Sequence, residues 1–144
     1  MTVDTLLKYL RGQFQRPGTK PLLAIGVILI GVALAIGISD NPPGVGLAYL
    51  GISFLCFSMI HQWRSARDYW TLLAVSIISF PVMVLLHNIF DTINTQIGTI
   101  PVVNQLLEGF AVIFFVGGVF IAPAVALVGI VRGLYYLIFK QHPN

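Results

Sequence analysis

Few side chains in this sequence can do chemistry, and their spacing keeps them apart. Three histidines and one cysteine, Cys56, are the only imidazole and thiol groups in 144 residues. A structural metal site or a bis-histidine haem needs several such ligands converging on one point. Cys56 and His61 are five residues apart, off a common helical face. A single cysteine excludes an intrachain disulfide and a CxxC pair, so Cys56 reads as a small packing residue. Ser53, Ser58, Ser76 and Ser79 have no base nearby to activate them, and serines in apolar helices usually bond to their own helix or a neighbour. No phosphate-loop, dinucleotide or zincin motif occurs. The expectation is a chain with no catalytic, cofactor or metal site of its own.

Charge is the scarcest property. Charged residues make up 9% of the chain, hydrophobic ones 57%, and the mean hydropathy is +0.90. A soluble domain carries about 25% charged residues. The composition excludes both a soluble globular fold and a disordered chain. The net charge of +3 is too small and scattered for a nucleic-acid surface. The chain therefore reads as an all-α integral membrane protein whose first partner is the lipid bilayer.

A membrane-crossing helix needs about 20 apolar residues. Four stretches qualify: residues 22–38, 45–61, 70–87 and 110–131, the last able to continue through Tyr135 and Tyr136 to Phe139. A cleaved signal peptide is the alternative for the first stretch, which has a basic flank and an Ala33-Leu34-Ala35 run. Its apolar length exceeds an ordinary signal core, so a genuine span is expected. No Asp, Glu, Lys or Arg lies centrally in any span, and such groups mark proton relays and ion-coupling sites. A proton-coupled transport cycle is not expected of this chain alone. His61 ends the second span and His87 the third, so about 30 Å of bilayer separates them. They cannot clamp one haem within a chain; a haem or pigment shared with another subunit is left open. Both read as interfacial polar residues, and His142 belongs to a polar tail.

Orientation follows from the basic residues. Lys8, Arg11, Arg16 and Lys20 precede the first span, Arg64 and Arg67 separate the second and third, and Arg132 and Lys140 follow the fourth. The other side carries only Asp40, Asp91 and Glu108. The positive-inside rule puts both termini in the cytoplasm, with the cell membrane as the expected location. Trp63, Tyr69 and Trp70 form an aromatic belt there; with Lys8, Arg11, Arg64, Arg67 and Arg132 they read as interfacial anchors.

Residues 1–20 are expected to form a cytoplasmic amphipathic helix and linker, with Val3, Leu6, Leu7, Leu10 and Phe14 on one face and Pro17, Gly18 and Pro21 breaking it. Residues 21–144 are expected to form a four-transmembrane-helix bundle, N-in and C-in. Residues 39–44 make a tight outer turn. Between residues 88 and 109, Ile89, Phe90, Ile93, Ile97 and Ile100 form an apolar stripe, so the third helix extends outward to about Thr99. Pro101 breaks it, and the fourth helix begins at Val102. A faint echo pairs Leu22-Leu23-Ala24-Ile25 with Leu72-Leu73-Ala74-Val75, as in a duplicated hairpin.

Two features suggest how the spans are used. Gly117, Ala122, Ala126, Gly129 and Gly133 form a strip without bulk, matched by Gly31 and Ala35 in the first span. These faces, with Ile93 and Ile97 on the outer arm, are candidate packing or partner surfaces. Pro81 and Pro123 fall at similar depth and deprive the carbonyls of Ile77 and Val119 of their helical donors. With Tyr49, Ser53, Ser76 and Ser79 they could line a cavity. The leading expectation is a non-catalytic subunit that packs with other transmembrane helices to assemble, anchor or stabilise a larger membrane complex; the expected partners are other membrane subunits or, in the alternative that follows, the chain itself. The alternative is a homo-oligomeric channel or carrier for a neutral or lipophilic substrate.

Overall fold

A computed structural model describes residues 3–38, 41–97 and 101–139. Asp40, Thr99, Ile100, Lys140 and His142 lie outside the described residues, as does the side chain of Ile97. Among the described residues six α-helices follow in order: α1 (Val3–Phe14), α2 (Thr19–Ile36), α3 (Pro42–Ile60), α4 (Ala66–Ile97), α5 (Pro101–Val116) and α6 (Ala122–Phe139). A π turn, Gly117–Ile121, joins α5 to α6 without a break. No strand occurs among the described residues. Four helical runs are long and apolar enough to cross a membrane: Thr19–Ile36, Pro42–Ile60, Ala66–Gln96 and Pro101–Phe139.

Local chemistry sets the ends of these helices. Pro42 and Pro43 occupy the first turn of α3, where an amide proton would have no helical acceptor. Pro101 likewise opens α5. The side-chain amide of Asn41 donates to the carbonyl of Ile36 at 2.8 Å, occupying one of the open acceptors at the end of α2. Gly18 and Gly37 bracket α2 with φ of 92° and 90°, values that a side chain would strain. Of the apolar face expected on α1, Phe14 is the one described side chain, and it is exposed.

The chain divides into two compact units, Met1–Ser65 and Ala66–Asn144. In the first, α2 and α3 form a hairpin. Thr19, Gly26 and Ala33 are buried along α2, seven residues apart. Gly44, Ala48, Gly51 and Ser58 are buried along α3. A seven-residue repeat keeps one seam on a neighbouring helix. At the turn, Gly44 packs directly on the Gly37 carbonyl, and within the helices Gly26 and Gly51 bring the two backbones together. A Cβ on Gly51 would sit 2.7 Å from Ile30 Cγ1 and 3.0 Å from the Gly26 carbonyl oxygen, and a Cβ on Gly26 would sit 2.9 Å from the Gly51 carbonyl oxygen. Gly31 and Ala35, by contrast, lie on the exposed side of α2, and Gly31 has nothing within 4 Å of its Cβ position.

In the second unit, α4 packs against α5, the π turn and α6. Tyr69 and Ser76 are buried, and Met83 and Phe90 half-buried, again at intervals of seven. The faint sequence echo falls in register with this pattern: Thr19, Gly26 and Ala33 of one hairpin correspond to Tyr69, Ser76 and Met83 of the other. The C-terminal part of α4 is not a lone arm. Phe90 stacks on Phe114 at 5.4 Å and lies 5.3 Å from Phe110, so α5 covers part of its apolar stripe. Ile89 stays exposed and Ile93 is half-buried.

The glycine contacts separate two substitutions of the same size. Gly51→Leu should destabilise the first hairpin by about 1–3 kcal/mol, the usual range for overpacking, whereas Gly31→Leu should leave it unchanged. Thermal unfolding in one detergent, followed by circular dichroism, would compare them; equal loss in both variants would contradict the packing described here.

Candidate functional site

The second hairpin gathers most of the candidate residues into three levels along one seam. At the first level lies Arg132. Its guanidinium carbon is 5.6, 5.1 and 5.3 Å from the ring centroids of Tyr69, Tyr135 and Tyr136. Tyr69 is fully buried and stacks on Tyr136 at 5.6 Å with an interplanar angle of 20°. Arg132 also hydrogen-bonds the Tyr69 hydroxyl. The cage forms because Tyr135 and Tyr136 follow Arg132 by about one helical turn, while Gly129 and Gly133 let α4 come close. A Cβ on Gly129 would lie 3.0 Å from the Tyr69 carbonyl oxygen, and one on Gly133 would lie 3.1 Å from the Trp70 indole.

The middle level is built from small residues and the two prolines. Gly117 and Gly118 face Met83: added Cβ atoms would approach its Sδ to 2.7 Å and its Cβ to 3.3 Å. The π turn has a physical role in this contact. Its wider ring, closed by the Ala122 amide donating to the Gly117 carbonyl, adds a residue to the turn. Ala122 is thereby buried on the seam while Ile121 is exposed. Pro123 lies in the first turn of α6, just past the π turn, and is half-buried. Pro81 lies on the exposed side of α4. One turn away, Ser76, Ile77 and Phe80 meet Ala122, Pro123 and Ala126 around a shallow apolar groove of about 210 Å³.

The third level is held by His87. Its Nδ1 lies 2.9 Å from the carbonyl oxygen of Ala111, and its ring centroid lies 5.3 Å from that of Phe115. A carbonyl only accepts, so Nδ1 is the protonated nitrogen and donates across the helix pair.

In the first unit, His61 plays a comparable part. Its Nδ1 is 2.9 Å from the Ser58 carbonyl oxygen and its Nε2 3.2 Å from that of Pro17. The ring thus ties the end of α3 to the turn that leads into α2. A neutral imidazole has one N–H and serves one of these acceptors at a time. Phe57 packs edge-on against it at 6.2 Å.

The hydroxyls proposed for a polar lining are committed locally. Ser53 donates to Tyr49, and Ser76 to Leu72, each at 2.8 Å to the carbonyl one turn earlier. Ser58 does the same to Leu55 at 2.7 Å. Ser79 and Cys56 are half-buried. Tyr49 and Ser53 belong to the first unit; Ser76, Ser79, Pro81 and Pro123 belong to the second. Of the anchors, Lys8, Arg11, Arg64, Arg67 and Trp70 are exposed, while Trp63 and Arg132 are half-buried. No group of three or more metal-ligating side chains occurs among the described residues.

Gly26 and Gly51 were not legible as contacts from sequence, because the regular Gly31–Ala35 pair was the stronger small-residue signal. The tyrosine cage had a signal in Arg132 followed by Tyr135-Tyr136, with Tyr69 at the matching end of the antiparallel helix.

Replacing His87 with Phe keeps the ring packing and removes the donor. Membrane helix pairs gain on average about 0.6 and at most about 1.7 kcal/mol from such a bond, so His87→Phe should destabilise the hairpin by about that much. Reversible unfolding in mixed micelles would measure it, and an unchanged midpoint would remove the bond from the account of stability.

No protein-family model, curated protein or solved structure matches this chain.

Proposed function

We propose that this chain is a non-catalytic integral membrane subunit whose role is exercised through its helix surfaces. The observation that carries this reading is how much apolar surface the hairpins leave open. Within the Ala66–Gln96 run only 6% of the span-length window is buried, and in Thr19–Ile36 only 17%. Ile28, Leu34, Ile78, Leu85 and Ile113 are among the side chains more than half exposed. In water such surface would aggregate; a bilayer or neighbouring membrane helices would cover it. The small-residue strip does not supply the partner surface in this reading, since Gly117, Gly129 and Gly133 already pack against α4. The outward faces of α2 and α4 are the better candidates, with Gly31 and Ala35 the points of closest possible approach. In this reading the four apolar runs are the spans, the basic-residue asymmetry puts the termini in the cytoplasm, and the cell membrane is the proposed location. The α1 segment then lies at the cytoplasmic surface, with Lys8 and Arg11 exposed on it.

A second reading is a self-assembled carrier for a lipophilic substrate. The groove at Ser76, Ile77, Phe80, Ala122, Pro123 and Ala126 favours it, and the apolar lining argues against a polar substrate. Gentle detergent extraction, then native electrophoresis and mass spectrometry, separates the two. Stoichiometric foreign subunits are the outcome expected for the accessory role. A defined homo-oligomer would overturn that role, and flux of a lipophilic substrate in liposomes containing this chain alone would then be the test of the second.

A further inference from the structure

Helix α1 is 12 residues long and meets α2 over a short contact. A helix of that length is marginal in water on its own, so it needs a surface to lie against. Val3, Leu6, Leu7, Leu10 and Phe14 fall within an arc of about 100° around its axis. Gln13 stands at one edge of that arc and is 3% exposed. Phe14, about 100° further round, is 43% exposed. The rest of the first unit therefore covers one edge of the arc and leaves the Phe14 side open. Arg11 borders the arc on that open side and is exposed.

The turn after α1 fixes where the helix sits. The Arg16 amide donates to the Gln13 carbonyl at 3.2 Å, and the Thr19 amide donates to the Arg16 carbonyl at 3.3 Å. Pro17 and Gly18, the latter with φ of 92°, separate α1 from α2. His61 Nε2 lies 3.2 Å from the Pro17 carbonyl oxygen, so the end of α3 holds the same turn. The base of α1 is thus kept where α2 begins and α3 ends. For two membrane spans that level is the headgroup layer. Lys8, Arg11, Arg16 and Lys20 are exposed in this segment, against one exposed carboxylate, Asp4.

We propose that α1 docks in the plane of the membrane on anionic lipid headgroups, with its apolar arc at the acyl boundary and Lys8, Arg11 and Arg16 among the phosphates. The proposal rests on the membrane reading above. Charge complementarity selects the occupant. Four cations against one carboxylate match an anionic leaflet, and an arginine beside an apolar face lays its stem over acyl chains while its guanidinium reaches the headgroups. An apolar partner helix would cover the arc and leave the cations without counter-charge. Each cation near an anionic surface contributes about a fivefold factor in binding. Because His61 holds the turn, docking has no long linker to order, which lowers its entropic cost.

The test uses the full chain with Cys56→Ala, reconstituted into vesicles and carrying one nitroxide at Leu7→Cys, Gly12→Cys or Ile28→Cys. Collisions with oxygen, which concentrates among acyl chains, are compared with collisions with a water-soluble nickel chelate. In vesicles containing phosphatidylglycerol, Leu7→Cys should meet oxygen and Gly12→Cys should meet nickel. In phosphatidylcholine alone, Leu7→Cys should shift toward nickel. Lys8→Gln, Arg11→Gln and Arg16→Gln together should lower the ratio of docked to free α1 about 100-fold by the same factor per cation. Arg11→Gln alone, expected to lower it about fivefold, keeps the proposal testable where the triple variant does not fold. Nickel access at Leu7→Cys in phosphatidylglycerol would overturn the docking. Shielding of Leu7→Cys from both reagents would overturn it in favour of a protein contact. Equal oxygen access in both lipids and in the charge variants would overturn the anionic headgroup as occupant. Ile28, 63% exposed in the middle of α2, reports on the span itself. Nickel access at Ile28→Cys would sink the membrane reading and the docking with it. Oxygen access there, with nickel access at Leu7→Cys, would sink the docking alone.

Discussion

Backbone-to-backbone contact at glycine is the constraint on which both hairpins depend. Lipid chains are as apolar as Leu, so membrane helices gain nothing from hiding Leu against Leu and associate through close packing instead. In the first hairpin, Gly26 and Gly51 place each backbone within reach of the other's carbonyl. In the second, Gly129 meets the backbone of Tyr69, and Gly117 and Gly118 meet Met83. The larger buried side chains are arranged around these approaches. Tyr69 can be fully buried because the neighbouring helix presents Gly129 and Gly133 rather than bulk.

Such a contact needs its small residues on one line, and an α-helix does not keep a long line straight. A repeat of seven drifts on an undistorted helix unless the pair supercoils or the helix is interrupted. The run from Pro101 to Phe139 carries two seven-residue series, Ala111 and Gly118 on one and Ala122, Gly129 and Tyr136 on the other, offset by four positions so that they share one face. The π turn at Gly117–Ile121 falls where the first series gives way to the second.

Much of this was legible in the sequence, for identifiable reasons. Span existence follows from apolar length, and the helices found cover each stretch expected, with ends shifted by a few residues. The continuation of α4 past His87 followed from the Ile89–Ile97 stripe, and the restart at Pro101 from the chemistry of proline. Contacts were harder. Gly31 and Ala35 form a regular small pair, yet they face outward, because which side of an all-apolar helix is inside is not encoded in polarity when every side is apolar. Gly26 and Gly51 are isolated glycines whose meeting depends on the register of an antiparallel pair. The π turn had no signal beyond Gly117-Gly118 near a proline. The fate of the histidines required knowing which carbonyl came near.

The second hairpin is firm at its ends and open in its middle. One end is closed by the Arg132–tyrosine cage, the other by the His87–Ala111 bond and the Phe90, Phe110 and Phe114 stack. Between them, Pro81 withholds an amide proton from one helix and Pro123 from the other, and the π turn loosens the second ladder further. Ile77, the residue one turn before Pro81, and Pro123 line the same shallow groove. The backbone is therefore least constrained in both helices at one level, where the side chains also fill space least completely. Any bending of this hairpin is concentrated there, because the aromatic and hydrogen-bonded ends would have to break contacts to bend elsewhere. The same geometry explains why Ser76, buried beside the groove, donates to its own helix at Leu72: a hydroxyl left facing an apolar gap in a membrane would have no acceptor.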